Sequence, residues 1–253
     1  MQEKYAGDLI AKDMRIDNRK LLDFRDIEVK TNVINKAEGS AYVRMGETQV
    51  LVGVKMAIGT PFQDTPGEGV LMCGAEFTPL ASPDFESGPP SPESVELARV
   101  VDRGIRESHM LQMDKLKIDD EHVWSVFVDI HIISHDGNLM DASSLAAVAA
   151  LKTAKIPKID MEKMQIILGQ REGSLPIAHT PINVTVCKVG GKTILDPTKL
   201  EEGVVDARLS IAVREDDKIC ALQKQGAVGI HVDEIPSMLD LATEKSKELR
   251  RLI

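Results

Sequence analysis

One stretch limits the folds open to this chain more than any other: His122–Ile156, HVWSVFVDIHIISHDGNLMDASSLAAVAALKTAKI. Val123–Ile133 is dense in Val, Ile, Phe and Trp, side chains that suit a pleated strand. A polar turn follows at Ser134–Asn138, and then Asp141–Ala154, a run of small and aliphatic residues that is apolar almost all round. A helix with no polar face belongs inside a domain. Asp141 or the serines behind it are placed to cap its first turn. The turn therefore leads directly into the N-terminus of a buried helix, where free N–H groups and partial positive charge can receive an anion. Leu139, Met140 and Asp141 stand at that entrance.

A buried helix needs cover, and 253 residues suffice for one large domain or two closely packed halves. Aromatics make up only 3% against 43% hydrophobic residues, so the core is expected to be aliphatic. No apolar run reaches the roughly 18 residues that span a membrane. The first residues, MQEKYAGDLIAKDM, carry acids and no apolar leader. Cys73, Cys187 and Cys220 are scattered, without a CxxC pair or a disulfide framework. Together these point to reduced thiols and a cytoplasmic, membrane-free protein. A net charge of −9 argues against coating nucleic acid over the whole surface, but leaves a local basic stripe open.

Along the chain, residues 2–13 read as a short amphipathic helix. Residues 37–58 read as a hairpin, with strands Ser40–Arg44 and Thr48–Ile58 joined by a turn at Met45–Glu47. Val70–Pro79 reads as a further strand, and ASPDFESGPPSP (81–92) as a loop no helix crosses. A helix is predicted from Pro92 to Met110, with Ser91 as N-cap and Pro92 at the first helical position. Pro157 is expected to end the buried helix, and 158–180 to form a polar connection with short strands. Strands follow over 182–202 and 207–231, then a closing helix over Ile235–Ile253. Strands and helices in alternating blocks indicate an α+β class with mixed sheets, in two halves, 1–157 and 158–253.

The predicted helix after Pro92 carries two opposed stripes. Leu97, Val101 and Ile105 form its apolar side, while Arg99, Arg103 and Arg106 cluster opposite, within an arc of about 60° at about 100° per residue. Forked guanidinium donors suit phosphate oxygens, and internal salt bridges suit the same residues. His131 and His135 stand four apart with no carboxylate or Cys spacing that completes a metal set, so no metal or cofactor is expected. Asp196, Glu201 and Glu202 form an acidic cluster after a strand, fit either to cap a turn or to hold an ion. Walker, GxSxG, GxGxxG and kinase motifs do not occur.

Taken in order, AEGSAYVRMGETQVLV, ELARVVDRGIR, HDGNLMDASSLAAVAAL and ILDPTKLEEGVVDARLSI resemble the RNase PH family. The resemblance covers about residues 15–250. It implies an RNase PH-like fold, two βαβ-type halves with mixed sheets and central buried helices. It also implies hexameric rings around an RNA channel and, in active members, degradation of RNA from the 3′ end with inorganic phosphate as the attacking group. Active members hold that phosphate with an Arg near the start of the first long helix and a Thr-Arg pair before the buried helix. Those positions fall here on Glu93, Leu139 and Met140, a degenerate phosphate site. The acidic pair of active members falls on Asp196 and Glu202.

FESGPPSPESVELARVVDRGIRES and DASSLAAVAALKTAKIP are most similar to the non-catalytic branch of the family found in archaeal exosome rings. That similarity implies a catalytic RNase PH-like partner in an alternating ring, a trimer of heterodimers, together with RNA-binding cap subunits and single-stranded RNA. It assigns RNA binding to Arg99, with Arg103 and Arg106 beside it, and no catalytic residue to this chain. The competing expectation is an independently active, phosphate-dependent 3′–5′ exoribonuclease.

Overall fold

The structure is a computed structural model and describes residues 2–253. Helix α1 (Gln2–Ile10) precedes a long irregular segment and then strands β1 (Ile27–Thr31), β2 (Gly39–Met45), β3 (Thr48–Gly59) and β4 (Val70–Glu76). Helix α2 (Pro92–Glu107), strand β5 (Val123–Ser134) and helix α3 (Leu139–Thr153) follow. Next come the hairpin β6 (Lys155–Asp160) and β7 (Gln165–Ser174), and strands β8 (Ile182–Val189) and β9 (Lys192–Leu195). The chain ends with the short helix α4 (Lys199–Glu202), strands β10 (Ala207–Val213) and β11 (Ile219–Gln225), and helix α5 (Ile235–Arg250).

The class is α+β. The first sheet has the order β1-β2-β3-β5-β4 and is mixed, because β4 runs parallel to β5 while its other pairs are antiparallel. The β4–α2–β5 connection is therefore a βαβ unit. The second sheet, β11-β10-β8-β9, is antiparallel throughout. Helix α3 packs against β2 and β3 of the first sheet and β8 of the second. This explains its composition: Asp141 to Leu151 are all buried, so every face of the helix meets protein. Gly39 permits the closest approach, since a Cβ there would collide with the Ala150 carbonyl and with Ala154.

The observed boundaries differ from expectation at several ends. Helix α2 stops at Glu107 rather than Met110, because Ser108 Oγ donates to the Ile105 carbonyl at 2.9 Å and His109 turns to φ +53°. The strand expected over Val70–Pro79 ends at Glu76. Pro157 does not end α3. The helix ends at Thr153, Ala154 is already extended, and Pro157 lies inside β6. The backbone N–H of Lys155, hydrogen-bonded to the Glu38 carbonyl at 2.9 Å, draws the chain into strand conformation before the proline is reached.

Candidate functional site

The turn that precedes α3 is shaped by contacts from three parts of the chain. Gly137 has φ +87°, and a Cβ there would collide with the Pro197 carbonyl. Asn138, at the N-cap position, is left-handed at φ +53° and makes no side-chain cap. Thr48 Oγ1 donates to the Gly137 carbonyl at 2.7 Å, and Arg25 donates to the carbonyls of Asp136 and Gly137. The backbone N–H of Asn138 donates to Glu202 Oε1 at 3.0 Å, and Arg208 Nη1 donates to the same oxygen at 3.1 Å. A carboxylate of this chain thus accepts the N-cap N–H at the helix entrance.

Glu93, Leu139 and Met140 come together here. They line one cavity of about 360 Å³ with Glu96, Glu202 and Arg208. Phe77, Phe85 and His135 supply an aromatic wall. Phe85 stacks on His135 with ring centroids 5.3 Å apart, and lies 4.6 Å from Phe77. Burial lowers the pKa of His135, which favours the neutral ring.

Asp141 does not cap the helix. It is fully buried, and its carboxylate accepts from Asn183 Nδ2 at 2.8 Å, Thr185 N at 3.0 Å, Thr185 Oγ1 at 2.8 Å and Asn138 Nδ2 at 3.1 Å. Asn183 and Thr185 lie on β8, so Asp141 joins α3 to the second sheet. All its partners are neutral, and burial pushes its pKa up to about 6 against the pull of those hydrogen bonds.

Asp196 is equally buried but is matched by cations. Arg25 donates to it from N, Nε and Nη2, the last at 2.7 Å, and Arg19 from Nη1 at 3.1 Å. Asn138 Nδ2 adds a bond at 3.0 Å. Arg15, with a fully buried side chain, pairs with Glu201 and donates to the carbonyls of Leu195 and Asp196. The open choice for Asp196 thus resolves to an internal ion-paired post. Arg15, Arg19 and Arg25 were not among the sequence-derived site residues. They lie in irregular backbone among Asp17, Asp23 and Asp26, without a period that would single them out.

The α2 arginines lie outside this cavity. Ser91 caps the helix as expected, accepting from Ser94 N at 3.2 Å. Arg99 is exposed and has no hydrogen-bond or ion-pair partner among the described residues. Arg103 Nη1 donates to Gln223 Oε1 on β11 at 2.8 Å, a neutral amide rather than an acid. Arg106 forms a two-pronged pair with Asp102 and donates to the Leu71 carbonyl at 3.1 Å. The three side chains share the surface hollow beside Cys73 and Asp102, with charges in three different states of use.

Comparison with known proteins places these features in a family. Residues 23–157 match the 3′ exoribonuclease family, domain 1, and residues 179–245 match 3′ exoribonuclease family, domain 2. The exosome complex component Rrp42 of Thermococcus onnurineus is 46% identical over 97% of this chain and 91% of its own length. That of Methanopyrus kandleri is 46% identical over 94% of this chain and 90% of its own length. Among solved structures, a chain of the Archaeoglobus fulgidus exosome with RNA bound to the active site superposes with a TM-score of 0.91 at 45% identity, covering 99% of this chain and 96% of that one. Rice Rrp46, at 18% identity and a TM-score of 0.70, shares the fold.

Proposed function

This chain belongs to the RNase PH family of 3′ exoribonucleases, and from that premise we propose that it is a non-catalytic ring subunit of an archaeal-type exosome. It pairs with an active RNase PH-like subunit in a ring of three alternating heterodimers, with RNA-binding cap subunits on one face. The outward face of α2, Arg99 first, grips the backbone of single-stranded RNA beside the partner's cleavage centre. Support comes from relatives that are exosome components over nearly their whole length, one of them in a complex holding RNA.

The observation that carries the non-catalytic part is the set of side chains at the entrance to α3. Leu139 and Met140 offer no side-chain donor, Glu93 brings negative charge, and Glu202 already takes the Asn138 N–H. A bound phosphate depends on charge-assisted donors, each worth about 1.5–3 kcal/mol. Asp196 supports the same reading: a general acid or base must reach its substrate, and Arg19, Arg25 and Asn138 occupy this carboxylate. Arg99, exposed and unpartnered among the described residues, supports the RNA contact; a guanidinium at the surface binds phosphate without first giving up an internal pair.

The test is to give the purified chain single-stranded RNA, inorganic phosphate and Mg²⁺ or Mn²⁺. Alone it leaves the RNA intact, and combined with an active RNase PH-like partner it supports phosphate-dependent shortening from the 3′ end. Phosphate-dependent shortening by the chain alone would overturn the proposal in favour of an independent exoribonuclease.

A further inference from the structure

We propose that Gln223 is a positioning residue for RNA: from the second sheet it holds the Arg103 guanidinium in place, without neutralising its charge, for a phosphate of the RNA backbone. The inference rests on the reading of α2 as the RNA-gripping face and adds the residue that presents its second arginine.

Arg103 and Gln223 come from different halves of the chain, 120 residues apart. Arg103 lies on α2, and Gln223 on β11, the edge strand of the second sheet. Both are half-buried. Arg103 Nη1 donates to Gln223 Oε1 at 2.8 Å, and Gln223 Nε2 donates to Glu96 Oε1 at 3.4 Å. Glu96 stands about two helical turns before Arg103 on α2. An amide has one accepting and one donating end, whereas an ionised carboxylate only accepts and a guanidinium only donates. The row Glu96–Gln223–Arg103 therefore fits one orientation of the amide, and both neighbours enforce it.

The neutrality of Gln223 matters as much as its reach. Among the described residues Arg103 makes no ion pair, and only an Nη1 N–H is engaged, which leaves Nε and Nη2 free to donate. Arg106 shows the alternative: its Nε and Nη2 go to Asp102, and Nη2 also to the Leu71 carbonyl. An acid at position 223 would do to Arg103 what Asp102 does to Arg106.

Arg99 and Arg103 stand four residues apart, so their side chains adjoin on the helix surface. They share two surface hollows, one beside Cys73 and Asp102 and one beside Pro90 and Gln223. Arg99, unpartnered among the described residues, has to be ordered when it takes a phosphate. Arg103 is ordered beforehand, and a side chain fixed before binding loses less rotamer freedom.

The test is RNA affinity against salt in a ring assembled with an active RNase PH-like partner, without inorganic phosphate so that the strand is not shortened. Gln223→Glu keeps the size and the acceptor but sets a charge against Arg103. It should weaken a labelled single-stranded RNA about tenfold and lower the slope of log affinity against log salt by about 1, the share of one phosphate contact. Gln223→Ala removes the anchor and adds no charge, so it should weaken RNA about threefold with the slope unchanged. Both variants lose the bond to Glu96, so the difference between them reports the charge. In an Arg103→Ala background neither substitution should have a further effect. Losses of the same size in that background would mean plain repulsion or a structural role and would overturn the proposal. So would wild-type binding by both Gln223 variants while Arg103→Ala weakens RNA. Wild-type binding by Arg99→Ala and Arg103→Ala alike would instead overturn the reading of α2 beneath it, so the two failures are distinguishable.

Discussion

Arg15, Arg19 and Arg25 on one side, and Arg99, Arg103 and Arg106 on the other, are two sets of three guanidiniums whose surroundings differ in kind. The first set lies in irregular backbone between α1 and β1 and is tied to the buried carboxylates Asp196 and Glu201. The second lies along one face of α2, where Arg106 makes an exposed pair with Asp102, Arg103 meets a neutral amide and Arg99 meets nothing among the described residues. A charge taken out of water has to be matched inside the protein, whereas one left at the surface stays hydrated and available to a passing anion. The first set is therefore architecture, holding the N-terminal segment and the α3 turn against the second sheet, and the second is where a ligand has something to gain. Asp141 and Asp196 repeat the contrast for acids: both are buried and both accept from Asn138, but only Asp196 has cations beside it.

The largest expected effect follows from removing a matched charge. Arg25→Ala leaves Asp196 short of its main cation and frees the Asp136 carbonyl, so it should cost about 3–5 kcal/mol of stability in denaturant unfolding. A loss below about 1 kcal/mol would mean Arg19 alone matches Asp196, and the contrast between the two sets would fail.

The unmatched acid predicts a pH effect of about 3 kcal/mol, from a folded pKa of about 6 against an ordinary value of 3.8. Below both values each state is protonated and there is no penalty. As pH rises between them the unfolded chain ionises first, so the folded state loses relative stability, and above about 6 the penalty is complete. The urea midpoint of the wild type, measured relative to Asp141→Asn, should therefore fall from about pH 4 to about pH 6 and then level off. A flat difference across that range would show that the four neutral donors compensate burial fully.

On α2 the expected effects are smaller and appear in binding before stability. In an assembled ring, Arg99→Ala should weaken RNA about tenfold and reduce the slope of log affinity against log salt by about 1, while changing stability by no more than about 0.5 kcal/mol. Arg106→Ala should cost about 1 kcal/mol of stability, from an exposed i,i+4 pair and the hydrogen bond to the Leu71 carbonyl, and should affect RNA less than Arg99→Ala does. Equal effects of the two on RNA binding would show that prior pairing does not decide which arginine reaches the ligand.

The chain by itself determined those features whose cause is local or periodic. The strand-turn-helix of β5 and α3 was readable because β-branched density and a helix without a polar face leave few alternatives. Ser91 and Pro92 marked the start of α2, and the 3.6-residue period separated Leu97, Val101 and Ile105 from the arginines opposite. The family resemblance pointed to Glu93, Leu139 and Met140, which the fold gathers around one cavity. Tertiary structure decided what depends on partners distant in sequence. Asp141 looked like a cap and became a tie to β8, 42 residues on. Asp196 and Glu202 looked alike, yet Arg25, 171 residues away, locks the first, while the second accepts the Asn138 N–H from 64 residues away. An ion pair or a buried hydrogen bond leaves no period in the sequence, because its geometry exists only once the two segments have been folded against each other.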